Sequence, residues 1–266
     1  MRIALGVSLA ALLGVASAAQ AAVSTLPALP PRTDVHWSFE GPFGHYDRAQ
    51  LQRGFQIYKE VCSACHSLNR VTFHTLGQDG GPGFTEAEVK AIAASYKIPA
   101  DPNDKGDLFD SSGNRLTRAG TVSDAFPPPF PNEQAARAAN SGALPPDLSL
   151  IEKARDGGPN YVFSILTGFV KAPADFTVLP NKYYNQYFAG RNISMPPPLA
   201  DGAVTFSDGS PNDIEHEATD IAAFLMWASE PKLEERHQIG FGVMAFLILF
   251  AGLLYLSYRR VWHDKH

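Results

Sequence analysis

The chain is 266 residues long, 45% hydrophobic, with 22 Lys and Arg against 27 Asp and Glu, a formal net charge of −5. This acidic balance argues against a nucleic-acid partner, because the phosphate backbone would repel it. Only two cysteines are present, so no second cysteine pair exists to complete a structural zinc site.

In chain order, the first element reads as an export signal over residues 1–21. Arg2 supplies the positive start, Ile3 to Val15 the apolar run, and Ala19-Gln20-Ala21 a small-residue cleavage site. From Arg48 onward, Leu51, Phe55, Tyr58 and Cys62 recur at helical spacing and put one apolar stripe on a helix that ends at the cysteines. Gly54 lies on or near that stripe, and marks either a close helix crossing or a tolerated surface glycine. Thr85-Glu86-Ala87-Glu88 predicts a capping box opening a helix to about Lys97, and Asn132 caps a helix over Glu133 to Asn140. Between these two, Asp101, Asp104, Asp107 and Asp110 form an acidic stretch within residues 100–114; its three-residue spacing does not fit an EF-hand, and it reads as a solvated loop.

Helices are also expected over Leu148 to Arg155, Asn160 to Gly168, and Glu217 to Ser229, the last with Ile221, Phe224, Leu225 and Ala228 on its apolar face. Proline and glycine punctuate the rest, and neither alternating strand runs nor repeats are evident. Ile239 to Tyr258 contains no charge; twenty residues of helix reach about 30 Å, the thickness of a bilayer core. Arg259, Arg260 and Lys265 follow, placing the C-terminus inside and residues 22–238 outside. From Ala22 to Tyr258 there are 18 basic against 26 acidic side chains, a balance of −8, which favours a basic partner.

Both cysteines fall in Cys62-Ser63-Ala64-Cys65-His66, the C-x-x-C-H attachment pattern for covalent haem c. Two thiols on one turn add to the two vinyl groups of the porphyrin, and the adjacent histidine becomes the proximal iron ligand. A C-x-x-C redox disulfide competes with this reading but lacks the surrounding βαβ pattern. Four methionines are available for the sixth position. Met1 leaves with the signal, Met244 lies in the span and Met226 in an apolar helix, so Met195, in a proline-stiffened loop, is the candidate; His36, His45, His74 and His216 stay open as bis-His alternatives. A thioether ligand raises the potential and suits a single-electron carrier.

The chain also resembles the cytochrome c1 family, the haem subunits of quinol:cytochrome c oxidoreductases of bacterial type. The resemblance rests on Gly41-Pro42-Phe43-Gly44 with Asp47, Arg53-Gly54, the haem motif, residues 142–149 (Gly-Ala-Leu-Pro-Pro-Asp-Leu-Ser), Tyr161-Val162-Phe163 with Leu166-Thr167-Gly168, Met195-Pro196-Pro197, and Phe224 to Ala228 with Glu230-Pro231. It implies that Cys62 and Cys65 form the thioethers, that His66 and Met195 are the axial ligands, and that Arg155 and Tyr161 meet the haem propionates. It further implies cytochrome b and a Rieske iron–sulfur protein as partner subunits, a cytochrome c acceptor, a dimeric complex, and the bacterial inner membrane with the haem domain in the periplasm. Some bacterial relatives carry an extra cysteine pair that this chain lacks.

The expected architecture is mainly α: a class I cytochrome c-like haem domain with long loops and insertions, plus one C-terminal transmembrane helix and a tail over 259–266. No residue is assigned a catalytic role. Two other functions compete: an anchored cytochrome serving another dehydrogenase or oxidase, which shares every physical feature except the family segments, and, from a different class, a haem peroxidase or gas sensor, which needs an open or displaceable sixth site.

Overall fold

Helix formation starts where Asp47 accepts the backbone N–H groups of Ala49 and Gln50 at 2.9 and 3.2 Å, capping α1 (Arg48–Glu60). The computed structural model describes residues 27–263, so the expected export signal lies outside the described residues. Leu51, Phe55 and Tyr58 are buried along the predicted stripe, joined by Ile57 and Gly54. The helix stops at Glu60, and Cys62–Ala64 form a separate 3₁₀ turn. Four further α-helices precede the last, long one: α2 (Glu86–Ala94), α3 (Glu133–Ala139), α4 (Pro159–Thr167) and α5 (Ile214–Ser229). The capping box of Thr85 with Glu88 and the Asn132 cap are formed as expected.

The core is built around the crossing of α1 and α5, the most extensive helix contact in the molecule, with α4 on another side of α5. Gly54 is the crossing point. A Cβ there would stand 2.2 Å from the Asp220 carbonyl oxygen and 2.6 Å from the Phe224 Cβ, so the close-crossing alternative holds and the surface one does not. Beside it, Arg53 donates to both carboxylate oxygens of buried Asp220 at 2.6 and 3.1 Å, a bidentate pair that fixes the register of the two helices. Phe55, Tyr58, Phe73, Tyr96, Phe126 and Phe224 continue the crossing as an aromatic cluster, with ring centroids 4.4–6.1 Å apart in tilted and edge arrangements.

Three expectations need correction. Residues 148–155 form consecutive turns rather than a helix. The Ser149 carbonyl accepts from the Ser229 hydroxyl of α5, a tertiary contact, and the Ser149 N–H is taken by the Asp147 side chain two residues before it, a local turn that competes with a helix. Lys97 does not close α2 but opens a strand: β1 (Lys97–Pro99) pairs antiparallel with β2 (Thr117–Ala119), and β3 (Tyr183–Tyr184) pairs with β4 (Asn192–Ile193). Strands of two or three residues are too short to show alternation. The acidic residues 100–114 form the loop between β1 and β2, where Asn103 and Asp110 accept backbone N–H groups from their own turns. Third, α5 begins at Ile214, capped by Asp213, three residues before the expected start.

The turn segment 148–155 also contains Glu152, which is 3% exposed with neither carboxyl oxygen hydrogen-bonded. Burial raises its pKa well above the ordinary value. A carboxyl raised in the fold costs nothing below its unfolded pKa, and stability is lost as pH rises towards the folded value. Glu152→Gln is therefore expected to raise the melting temperature at pH 8 while leaving it nearly unchanged at pH 4. Thermal unfolding followed by circular dichroism at the two values checks this, and an equal shift at both would show that the charge is not responsible.

The last helix, α6 (Leu233–Trp262), runs 30 residues and includes the predicted span 239–258. Its most apolar window has mean hydropathy 2.4 and none of it is buried within the protein, the pattern of a helix whose solvent is lipid. Its root is held firmly. Glu234 accepts from the Tyr46 N–H at 2.8 Å and pairs with Arg48 at 2.7 Å, Glu230 pairs with Lys153 and Arg236, and Leu233 is buried.

Candidate haem site

The turn after α1 gathers the motif. The N–H groups of Cys65 and His66 both donate to the Cys62 carbonyl, at 3.1 and 2.9 Å, so the two cysteines and the histidine share one tight turn. The two cysteines are not joined to each other; Cys62 is half-buried against the core and Cys65 exposed. Burial, with Cys65 adding to it, pushes the Cys62 thiol up to about 12.

His66 is positioned from across the fold. Its Nδ1 lies 2.8 Å from the Pro146 carbonyl oxygen; a carbonyl only accepts, so Nδ1 carries the proton and the lone pair is left on Nε2. Burial lowers the pKa of the ring, the Pro146 bond opposing, and this favours the neutral, metal-ligating form. The Pro146 segment is itself stapled to the chain that follows the haem motif. Asp147 accepts the N–H groups of Asn69 and Ser149, each at 2.9 Å, Leu148 donates to the Ser67 carbonyl at 2.9 Å, and Arg70 donates to the Ser149 hydroxyl at 3.1 Å. Sequence reasoning misses the role of Pro146. Pro145-Pro146-Asp147 signals a rigid loop, but nothing local says which side chain its carbonyl meets.

Met195 is half-buried and stands apart from the hydrophobic core, whereas Met226 packs against it. Its loop is pinned before by the Asn192 side chain, which accepts the Leu179 N–H at 3.0 Å, and by Lys182 donating to Ser194; after the prolines, Leu199 is buried in the core. A half-buried methionine in a proline-stiffened loop fixed at both ends is placed as a ligand would be, rather than as filler of the main core. The alternatives His36, His45, His74 and His216 are all exposed, and His74 and His216 are hydrogen-bonded to Thr72 and Asp213.

The propionate candidates differ. Tyr161 sits in the first turn of α4, half-buried against the core. Arg155 is exposed, donates to the Ala154 carbonyl at 2.9 Å, and has no carboxylate partner among the described residues. Gly157 and Gly158, at φ +93° and +49°, make the sharp turn between the two. The donor set therefore fits a covalent haem: two cysteines not bonded to each other and an oriented imidazole on one turn, with a half-buried, loop-borne thioether elsewhere in the fold.

A mainly helical domain with this motif, rooted on a single membrane-length helix, defines an anchored c-type cytochrome. More specifically, the chain belongs to the cytochrome c1 family, whose profile matches residues 37–265, and as a member it carries one covalent haem c and serves as the haem electron-transfer subunit of the bc1 complex. It is 44% identical over 247 residues to a cytochrome c1 of Rhodospirillum rubrum, covering 86% of this chain and 87% of that one. With a cytochrome c1 of Blastochloris viridis it shares 41% over 277 residues, covering 96% and 94%. A cytochrome b/c1 of Bradyrhizobium diazoefficiens is 49% identical over 249 residues; the match covers 86% of this chain but spans only 35% of that longer protein.

Proposed function

We propose that Cys62 and Cys65 form the thioethers, that His66 through Nε2 and Met195 through its sulfur are the axial ligands, and that Arg155 and Tyr161 meet the haem propionates. The observation that carries this reading is the His66 ring held by the Pro146 carbonyl at 2.8 Å, the outer-shell bond that fixes a ligating imidazole. When bound, the haem supplies a one-electron iron couple. His66 and Met195 would both ligate its iron, which would leave no open site for peroxide or a gas. Arg155, exposed and without a carboxylate partner among the described residues, offers a guanidinium for a propionate.

The haem domain, residues 22–238, stands on the periplasmic side of the bacterial inner membrane, with the C-terminus cytoplasmic. It takes electrons from a Rieske iron–sulfur protein beside cytochrome b, in a dimeric complex, and passes them to a soluble or tethered cytochrome c. The chain does not oxidise quinol by itself. Its −8 balance over Ala22 to Tyr258 supports a basic acceptor, steered in at long range and easily released. Reduction of a basic cytochrome c by the purified complex is expected to slow several-fold between about 50 and 200 mM salt, as the Debye length shrinks. A rate indifferent to salt would exclude electrostatic docking. Carbon monoxide is expected not to bind the reduced protein; binding would favour the peroxidase or sensor reading.

A further inference from the structure

The turn 41–44 carries a phenylalanine that the fold holds outward. Phe43 is 81% exposed, more than any other large apolar side chain among the described residues. The turn is a built one: Gly41 has φ +76°, the Gly44 N–H donates to the Gly41 carbonyl at 3.2 Å, and a Cβ on Gly44 would stand 2.2 Å from the Phe39 carbonyl oxygen. On either side Phe39 and Tyr46 are buried and in ring contact at 5.3 Å, with Trp37 stacked on Phe39 at 5.5 Å. Three aromatic side chains are thus sunk in the core while the one between them points away from it.

What lies beside Phe43 is α6. Its ring stacks on Phe241 with centroids 5.2 Å apart and planes 17° from parallel. His237 Nδ1, one turn nearer the start of the helix, is 3.4 Å from the Gly44 carbonyl oxygen, and Tyr46 and Arg48 are bonded to Glu234. The turn is therefore clamped to the root of the anchor. The uncharged run begins at Ile239, and Phe241 is two residues further on, roughly 3 Å along the axis. A ring stacked on Phe241 lies at the same depth, at the border between headgroups and acyl chains, where amphipathic and aromatic anchors collect.

We propose that Phe43 and the turn 41–44 insert into the outer leaflet beside α6, giving the haem domain a second contact with the lipid surface. One helix alone leaves rotation about the helix axis unconstrained by the bilayer, whereas two contacts at one depth set the tilt of the domain. The inference rests on α6 crossing the bilayer with its N-terminal end on the side of the haem domain.

The test is a nitroxide attached to Phe43→Cys in the intact complex in phospholipid nanodiscs, with collision rates measured against oxygen, which concentrates in lipid, and a water-soluble nickel chelate. Labels at Pro42→Cys, Asp107→Cys and Leu249→Cys complete the set. The expected result is a Phe43 label several-fold more accessible to oxygen than to nickel, relative to the Asp107 label. A nickel accessibility equal to that of Asp107 places the turn in water and overturns the proposal. Inaccessibility to both means that another protein surface covers the turn, which also overturns it. If Phe43→Cys disturbs the turn, the exposed Pro42 position decides by the same criteria. A Leu249 label open to nickel would sink the span itself and the inference with it, whereas a lipid-facing Leu249 beside a water-facing Phe43 would sink only the inference.

Discussion

Replacing Met195 by leucine is expected to abolish the near-infrared sulfur-to-iron band of the oxidised protein and to lower the midpoint potential by on the order of 200 mV, out of the roughly 0.8 V over which axial ligands move haem potentials. Leucine keeps the volume of the side chain and its apolar character but offers iron no donor, so the change isolates the ligand bond. A neutral thioether favours ferrous over ferric iron, and its loss to water or a nitrogen ligand removes that preference. Because Met195 lies outside the hydrophobic core, the variant is expected to keep its fold and its covalent haem, and the potential change reports ligation rather than unfolding. Met226→Leu is the control: that side chain packs against the core, and its variant is expected to leave both band and potential in place. Persistence of the band in Met195→Leu would move the sixth ligand elsewhere and reopen the bis-His alternatives.

Gly54→Ala is expected to lose about 3 kcal/mol of stability, roughly 6–12 °C in melting temperature for a domain of this size. A methyl group is ordinarily welcome in a helix interior and would gain up to about 1 kcal/mol from propensity. Here it meets the Asp220 carbonyl oxygen at 2.2 Å and the Phe224 Cβ at 2.6 Å, and the first of these is backbone. Relief requires α5 to move away from α1. That motion stretches the Arg53–Asp220 pair, leaving a buried carboxylate less well partnered, and opens the contacts of Phe224 with Phe55 and Tyr58 at 5.8 and 6.1 Å. Gly240→Ala, in α6 with nothing within 4 Å of the added Cβ, is expected to be neutral. Thermal unfolding of both variants separates a crossing effect from a general intolerance of change at glycine.

Much of the site is legible in the sequence because its chemistry is local. Cys62, Cys65 and His66 lie within one turn, and the capping residues Thr85 and Asn132 act within three residues of themselves, so adjacency in sequence is adjacency in space. The same holds for α6, where twenty uncharged residues meet one demand, the thickness of a bilayer. Met195 stands out as the candidate sixth ligand only because methionine is scarce. By contrast, residues 148–155 have helical apolar spacing but form turns, because their polar groups are engaged by Asp147 and by Ser229, the latter 80 residues away. The strands β1 to β4 are shorter than the period that reveals a strand.

By itself, then, the sequence determined the covalent attachment motif and the membrane span, since each follows from a run of neighbouring residues, and the acidic charge, which is a sum over composition. Only the tertiary structure decided that Gly54 is a helix crossing, that the Pro146 carbonyl orients His66, and that Phe43 stacks on Phe241, because each joins segments 80 or more residues apart, and which segments meet is settled by the packing of the whole core rather than by any local preference.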